Sequence, residues 1–165
     1  MRRLSVRRAS RQLRRLVPTP WDMDTFLDRV SAKWPRPIQL VNLDFSTAGG
    51  ISGAWTPTAQ RDIVFVASNA TGLRRVAIVC HEISHMWLQH TPDDLGLVGD
   101  EAMETWYPEL QEASPELVRK FVLYRHGYES AAEADAEYLA TTVLAAIGKS
   151  LPRGRAGHIA RSLHW

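Results

Sequence analysis

The sequence predicts an α+β fold in which a small, mainly antiparallel three-stranded sheet packs on a helical core. Its 165 residues suit one domain, and a chain of this size buries about 70% of its unfolded surface. Three short runs between residues 38 and 67 have the apolar patterns of strands and lie next to one another along the chain. Apolar residues recur at helical spacing on both sides of these runs.

Composition excludes several classes of protein. Hydrophobic residues make up 45% of the chain and charged residues 23%, which is typical of a globular domain and not of a disordered chain. No apolar stretch reaches the roughly 20 residues of a membrane-spanning helix, so we expect no membrane partner. Cys80 is the only cysteine, which excludes an internal disulfide and predicts a cytoplasmic location.

Positive charge is concentrated at the beginning of the chain. Residues 1–16 contain seven arginines and no acidic residue, which leaves 13 basic against 18 acidic residues in the rest. Residues 1–20 are predicted to form a basic helical arm that can attract phosphate or an acidic protein surface. Alternatively, the helix docks one apolar face on the domain while its arginines remain solvated. That face is formed by four residues at helical spacing, Ala9, Leu13, Leu16 and Val17.

Prolines and a cap residue define the first two helices. A helix is predicted over 5–16, ended by Pro18, and a second over 22–34, ended by Pro35. Asp22 can cap the start of the second helix.

Three strands are predicted between residues 38 and 67. Residues 38–43 alternate between apolar and polar side chains, and 52–56 and 61–67 form two further strands joined by a turn that contains proline. Residues 63–66 are apolar on both faces, so we expect a central strand that is covered on both sides. A flexible turn before the second strand is predicted by three glycines, Gly49, Gly50 and Gly53.

The second half of the chain is predicted to be helical. Residues 91–112 contain prolines, glycines and many acidic residues, and we expect an exposed acidic insertion there. A helix over 128–147 should end at Gly148. A domain over 21–150 is thus predicted, followed by a basic tail over 151–165.

Residues 81–85, His-Glu-Ile-Ser-His, match the zinc signature HExxH. The pattern is helical from residue 71 onward, with Thr71 or Asn69 as a plausible cap, and the motif lies in a long, nearly uncharged helix over 76–90. Four residues are slightly more than one helical turn, so His81 and His85 project from one face and can share a Zn²⁺ ion. Glu82 lies one residue round the helix, where we predict that it accepts a proton from water and does not bind the ion. The alternative is a pair of core histidines with ordinary hydrogen-bond partners.

A catalytic zinc site uses three protein ligands and a water molecule. His90 is nine residues after His81, but the metzincin pattern needs glycine and histidine where this chain has Leu88 and Thr91. The metzincin arrangement is therefore excluded.

The helix predicted over 128–147 offers acidic residues as the third ligand. Glu129, Glu133 and Glu137 are spaced by four, so they share a face. Alanines between them would let this helix approach the first helix closely enough for a short glutamate to reach the metal. The spacing alone leaves the choice among the three open.

Residues 133–144 fit the frame E-x-E-A-N-x-F-A-x-x-L-L. With the HExxH motif and the strand residues over 53–55 and 61–66, this stretch makes residues 36–147 similar to the ImmA/IrrE metallopeptidase-like family, also called the IrrE N-terminal-like domain. The resemblance implies a zincin-like core of the gluzincin type and Zn²⁺ held by His81, His85 and Glu133. It places Glu137 where the family has Asn or Asp.

The resemblance also implies a function. Such bacterial proteins cleave or inactivate helix-turn-helix repressors in stress, mobile-element or toxin–antitoxin circuits. Glu82 would then be the general base. A donor to the oxyanion is also needed, and Tyr128, His126 and Tyr124 are candidates.

Two other functions remain open at this point. The domain could be a zinc-containing module that binds a regulator without cleaving it. The arginines of residues 1–16 could also bind DNA, although they provide phosphate attraction without a recognisable reading motif.

Overall fold

The computed structural model describes residues 5–44, 52–57, 60–90 and 131–151. The described part has an α+β fold, which confirms the predicted class. Its helices are α1 (Val6–Arg14), α2 (Met23–Ser31), α3 (Gly72–Leu88) and α4 (Ala131–Ser150). Its strands are β1 (Ile38–Leu43), β2 (Gly53–Pro57) and β3 (Asp62–Ala67).

Several predicted segments fall outside the described residues: the turn at Gly49 and Gly50, the acidic insertion over 91–112, the start of the helix predicted from residue 128, and the tail from residue 152 onward. None of the helices in the described ranges combines the length and apolarity that crossing a membrane requires.

The sheet is mixed, and the prediction of a mainly antiparallel sheet is wrong. Its strand order is β1-β3-β2, with β3 parallel to β1 and antiparallel to β2. The central position of β3 was predicted and is confirmed, because all six of its residues are buried. A strand that is apolar on both faces is most stable between two neighbours. β1 and β2, which would be adjacent in a simple meander, are therefore the two outer strands.

A buried carboxylate organises the start of this sheet. Asp62, the first residue of β3, has no exposed surface. It accepts hydrogen bonds from the indole nitrogens of Trp34 and Trp55 at 2.8 and 2.9 Å. Arg36 completes the site with a forked contact, Nε at 2.8 Å and Nη2 at 3.1 Å. A buried charge needs such partners, and these join the segment before β1 to both β2 and β3.

Gly53 begins β2 and does not belong to the turn in which it was predicted. A Cβ atom at this position would lie 2.4 Å from Ile78 Cγ2 and 2.9 Å from Glu82 Oε1, both on α3. Only a residue without a side chain therefore allows α3 to lie this close to β2.

The helix boundaries agree with the predictions at some ends and differ at others. Asp22 caps α2 as predicted, since its carboxylate accepts the Thr25 N–H at 2.8 Å. Helix α3 begins at Gly72, which confirms the helical pattern predicted from residue 71, and it ends at Leu88, two residues before the predicted end at residue 90. Thr71 occupies the N-cap position without a side-chain hydrogen bond.

The predicted stop at Gly148 is wrong, because α4 continues to Ser150. A glycine inside a helix is less favourable than alanine by only about 1 kcal/mol. Ile147, 2% exposed, packs in the core and holds the last turn against the domain.

Helix α1 docks on the domain by one face, as one of the two interpretations of the basic arm predicted. Ala9 and Leu13 are fully buried, and the Ser10 hydroxyl hydrogen-bonds the Thr142 hydroxyl of α4 at 2.9 Å. The arginines of this helix and its C-terminal cap are all exposed: Arg7, Arg8, Arg11, Arg14 and Arg15. The docked face and the charged face therefore coexist.

Candidate metal centre

The two histidines of the HExxH motif lie side by side on α3. Their Nε2 atoms are 3.0 Å apart, and their rings meet edge to face with centroids 4.7 Å apart. His85 is only 2% exposed, and His81 is half-buried. The predicted projection from one helix face is confirmed, since the two Nε2 atoms lie next to each other.

Glu133, in the first turn of α4, completes the group. Its Oε2 atom lies 3.4 Å from His81 Nε2, and its Oε1 atom lies 3.4 Å from His85 Nε2. One donor atom from each of the three residues lies within 4.8 Å of the others, so the group could hold a metal ion. Two imidazole nitrogens and one carboxylate oxygen form a donor set that suits Zn²⁺.

Small residues on α4 allow Glu133 to lie close to the histidines of α3. Three alanines on the face that carries the core residues of α4 are buried: Ala132, Ala136 and Ala140. Methyl side chains keep the two helix backbones close, so a glutamate on α4 reaches histidines on α3. The interleaved alanines in the sequence predicted this feature.

The remaining acidic candidates occupy other positions. Glu137 Oε2 lies 3.3 Å from His81 Nδ1, the ring nitrogen that faces away from the group of three. Asp135 is exposed. Glu129 lies outside the described residues. Of the acids that the structure describes on α4, Glu133 is therefore the one placed between the two histidines, and Glu137 is placed to orient His81.

The charges of His81 and Glu133 affect each other's pKa. Burial acts to lower the pKa of His81, but the hydrogen bond to Glu133 and the charges of Glu82, Glu133 and Glu137 outweigh it and raise that pKa above 6.5. Hydrogen bonds from His81 and His85 hold the pKa of Glu133 far below its usual range. Metal binding and protonation compete for His81, and the raised pKa strengthens that competition.

Glu82 follows His81 on α3 and lies outside the donor group. Its side chain is 6% exposed and packs beside Gly53 of β2. None of the described residues forms a recorded hydrogen bond with its carboxylate. Glu82 is thus a buried carboxylate, next to His81 in the chain, whose role as a base stays a prediction.

His90 has a position that the sequence did not indicate. Its Nδ1 atom lies 2.9 Å from His85 Nδ1, on the side of the His85 ring opposite the donor group. Sequence reasoning considered His90 only as a possible third ligand. The left-handed backbone of Gln89, φ 56° and ψ 44°, brings His90 back against His85, and no residue pattern signals such a turn at a glutamine.

The candidate donors to an oxyanion, Tyr128, His126 and Tyr124, lie outside the described residues, and their role stays a prediction.

Comparisons with known proteins identify no relative: no family model, no curated protein and no solved structure matches this chain. The resemblance to the ImmA/IrrE family therefore depends on the HExxH motif, on the strand residues over 53–55 and 61–66, and on the frame over residues 133–144. The geometry of the donor group is independent of that resemblance.

Proposed function

We propose that this chain is a zinc-dependent peptidase of the gluzincin type, with a zincin-like core and a regulatory role. One observation carries the proposal: two histidines one helical turn apart and a glutamate from a second helix converge within 4.8 Å. Helix α3, which carries both histidines, also places a buried carboxylate, Glu82, directly after His81. This combination is what metal-assisted hydrolysis of a peptide bond requires.

The residues of the site have two different roles. His81, His85 and Glu133 would hold the ion, which when bound polarises the scissile carbonyl and lowers the pKa of water toward about 7. Glu82 accepts a proton from the attacking water and passes it to the leaving amine. Burial among apolar residues, with no hydrogen-bond donor recorded among the described residues, leaves the Glu82 oxygens available for that proton.

Residues outside the donor group hold the functional side chains in position. The Glu137 carboxylate, 3.3 Å from His81 Nδ1, accepts the proton on that nitrogen and leaves Nε2 free to bind metal. Gly53 keeps β2 against Glu82, so the base has little room to swing away.

The proposed substrate is a protein, and the resemblance to the ImmA/IrrE family points to a helix-turn-helix repressor. The cellular context would be a stress response, a mobile element or a toxin–antitoxin pair.

The exposed arginines of α1 support a second candidate, a module that binds a regulator without cleaving it. They face solvent on the side opposite the docked face, at Arg7, Arg8, Arg11, Arg14 and Arg15. Such a face attracts an acidic protein surface, and phosphate groups by the same physics. The two candidates differ in whether proton transfer by Glu82 is needed.

A substitution of Glu82 separates the two candidates. Glu82→Gln keeps the size of the side chain but cannot accept a proton, and losing a general base slows a reaction by about 10²- to 10⁴-fold. The exposed Asp135 provides the matched control, Asp135→Asn. A helix-turn-helix repressor that the wild-type protein inactivates in a reporter strain is co-expressed with each variant at matched protein levels. The reporter measures derepression, and an immunoblot follows the repressor.

A peptidase predicts that Glu82→Gln leaves the repressor intact and the reporter silent, while Asp135→Asn behaves as wild type. Equal derepression by wild type and Glu82→Gln, with the repressor uncut in both, would instead establish the binding module.

A further inference from the structure

Both ring nitrogens of His85 have partners. Its Nε2 atom faces Glu133 and His81 at 3.4 and 3.0 Å, and its Nδ1 atom faces His90 Nδ1 at 2.9 Å. His85 and His90 are 2% and 6% exposed, so water does not substitute freely for either contact.

The end of α3 fixes the position of His90. Gln89 is in the left-handed region, the Gln89 N–H donates to the Met86 carbonyl at 3.0 Å, and the His90 N–H donates to the His85 carbonyl at 3.1 Å. These two bonds form a Schellman motif, which turns the chain back on the last helical turn. The backbone thereby ties His90 to the residue whose ring it contacts. Left-handed backbone is unfavourable for glutamine, and here it brings the second imidazole into place.

The hydrogen bond couples the tautomers of the two rings. A neutral imidazole carries one proton, so one nitrogen donates and the other accepts. To bind a metal through Nε2, His85 must carry its proton on Nδ1 and donate it to the Nδ1 lone pair of His90. If His90 carried its proton on Nδ1, His85 would have to accept there, and its own proton would occupy Nε2.

We propose that His90 is a positioning residue that holds His85 in the Nδ1–H tautomer, with the Nε2 lone pair directed at the metal. This inference rests on the proposed metal site and adds the residue that prepares its buried ligand. The choice of residue has a physical reason. His81, half-buried, has the carboxylate of Glu137 as its acceptor, but a carboxylate in the buried place of His90 would be an expensive charge. A neutral imidazole accepts the same proton without one.

Zinc affinity, measured by competition with a chromophoric chelator, tests the proposal. His90→Phe keeps an aromatic ring but removes the acceptor, and loss of such an outer contact weakens metal binding by about 10- to 100-fold. His90→Asn restores an acceptor oxygen near the Nδ1 position and should recover most of the affinity. Ser84→Ala is the matched control, because Ser84 is fully buried on the same helix and its hydroxyl donates only to the Cys80 carbonyl.

A purely structural role for His90 predicts a different result, in which His90→Phe and Ser84→Ala both lower the free energy of unfolding and neither changes zinc affinity. That result would overturn the proposal and leave the metal site standing. Failure of the wild type to bind zinc would overturn both.

Nitrogen-15 NMR of the wild-type histidine rings gives an answer even if His90→Phe does not fold. The proposal predicts that His85 in the zinc-loaded protein is protonated at Nδ1. Protonation at Nε2, or binding of the metal through Nδ1, would refute it.

Discussion

The contact between β2 and α3 yields a prediction whose size follows from the structure. In Gly53→Ala the new Cβ atom would lie 2.4 Å from Ile78 Cγ2 and 2.9 Å from Glu82 Oε1. Carbon atoms do not approach this closely, and Cγ2 of a β-branched residue cannot rotate away freely, so α3 must move from β2. Forcing extra atoms into a packed core lowers stability by about 1–3 kcal/mol.

Urea unfolding followed by tryptophan fluorescence measures this loss. Gly148→Ala is the control, because a Cβ atom at Gly148 meets nothing within 4 Å and alanine is the better helix former by about 1 kcal/mol. The same chemical change should therefore destabilise the protein at residue 53 and slightly stabilise it at residue 148. A Gly53→Ala protein as stable as the wild type would show that α3 does not lie against β2 as described.

Four further predictions concern the site and its surroundings. Zinc affinity should fall as the pH drops below the raised pKa of His81, because the protonated ring cannot bind metal; isothermal titration across pH 5–8 measures this, and a flat profile would contradict it. In the metal-free protein, the His81–Glu133 pair stabilises the fold most between pH 4.5 and 6.5. The raised pKa of His81 makes that contribution disappear as the pH rises through it, and the lowered pKa of Glu133 makes it disappear in acid; thermal melts at several pH values should show this maximum. Burial raises the pKa of the Cys80 thiol to about 12, so a thiol reagent at pH 8 should react only after unfolding, and rapid labelling of the native protein would be inconsistent with the buried position. Gln89→Gly should raise the free energy of unfolding by about 0.5–1 kcal/mol by relieving the left-handed backbone, with zinc affinity unchanged.

Local patterns predicted much of the fold. The boundaries of β1, the Asp22 cap and the central, doubly buried β3 all follow from residue types within a short window. The direction of β1 relative to β3 could not be predicted in this way, because strand order depends on which strand is best covered by the whole domain. A three-strand meander and the observed order use the same local patterns.

The histidine pair was predictable because helical periodicity alone places residues four apart on one face. The choice of Glu133 could not be predicted from periodicity, because Glu129, Glu133 and Glu137 share it. Only the register of α4 against α3 distinguishes them. The family frame pointed to Glu133, and the geometry of the group agrees.

Contacts that depend on a missing side chain or on an unusual backbone conformation could not be predicted from the sequence. Gly53 resembled a turn residue, because its close contact with Ile78 and Glu82 exists only when two distant elements pack together. The contact of His90 with His85 requires a left-handed glutamine, and propensity argues against that conformation. The binding of Asp62 by Trp34, Trp55 and Arg36 likewise joins segments that are separate along the chain.

The metal content of the purified protein tests the central claim most directly. Mass spectrometry of the metals in wild type, Glu133→Ala and Asp135→Ala compares a donor with an exposed neighbour two residues away on the same helix. An open three-ligand site predicts about one Zn²⁺ per chain in wild type and in Asp135→Ala, and a large loss in Glu133→Ala. Equal zinc in all three proteins, or none in the wild type, would contradict the assignment of His81, His85 and Glu133 as the metal site.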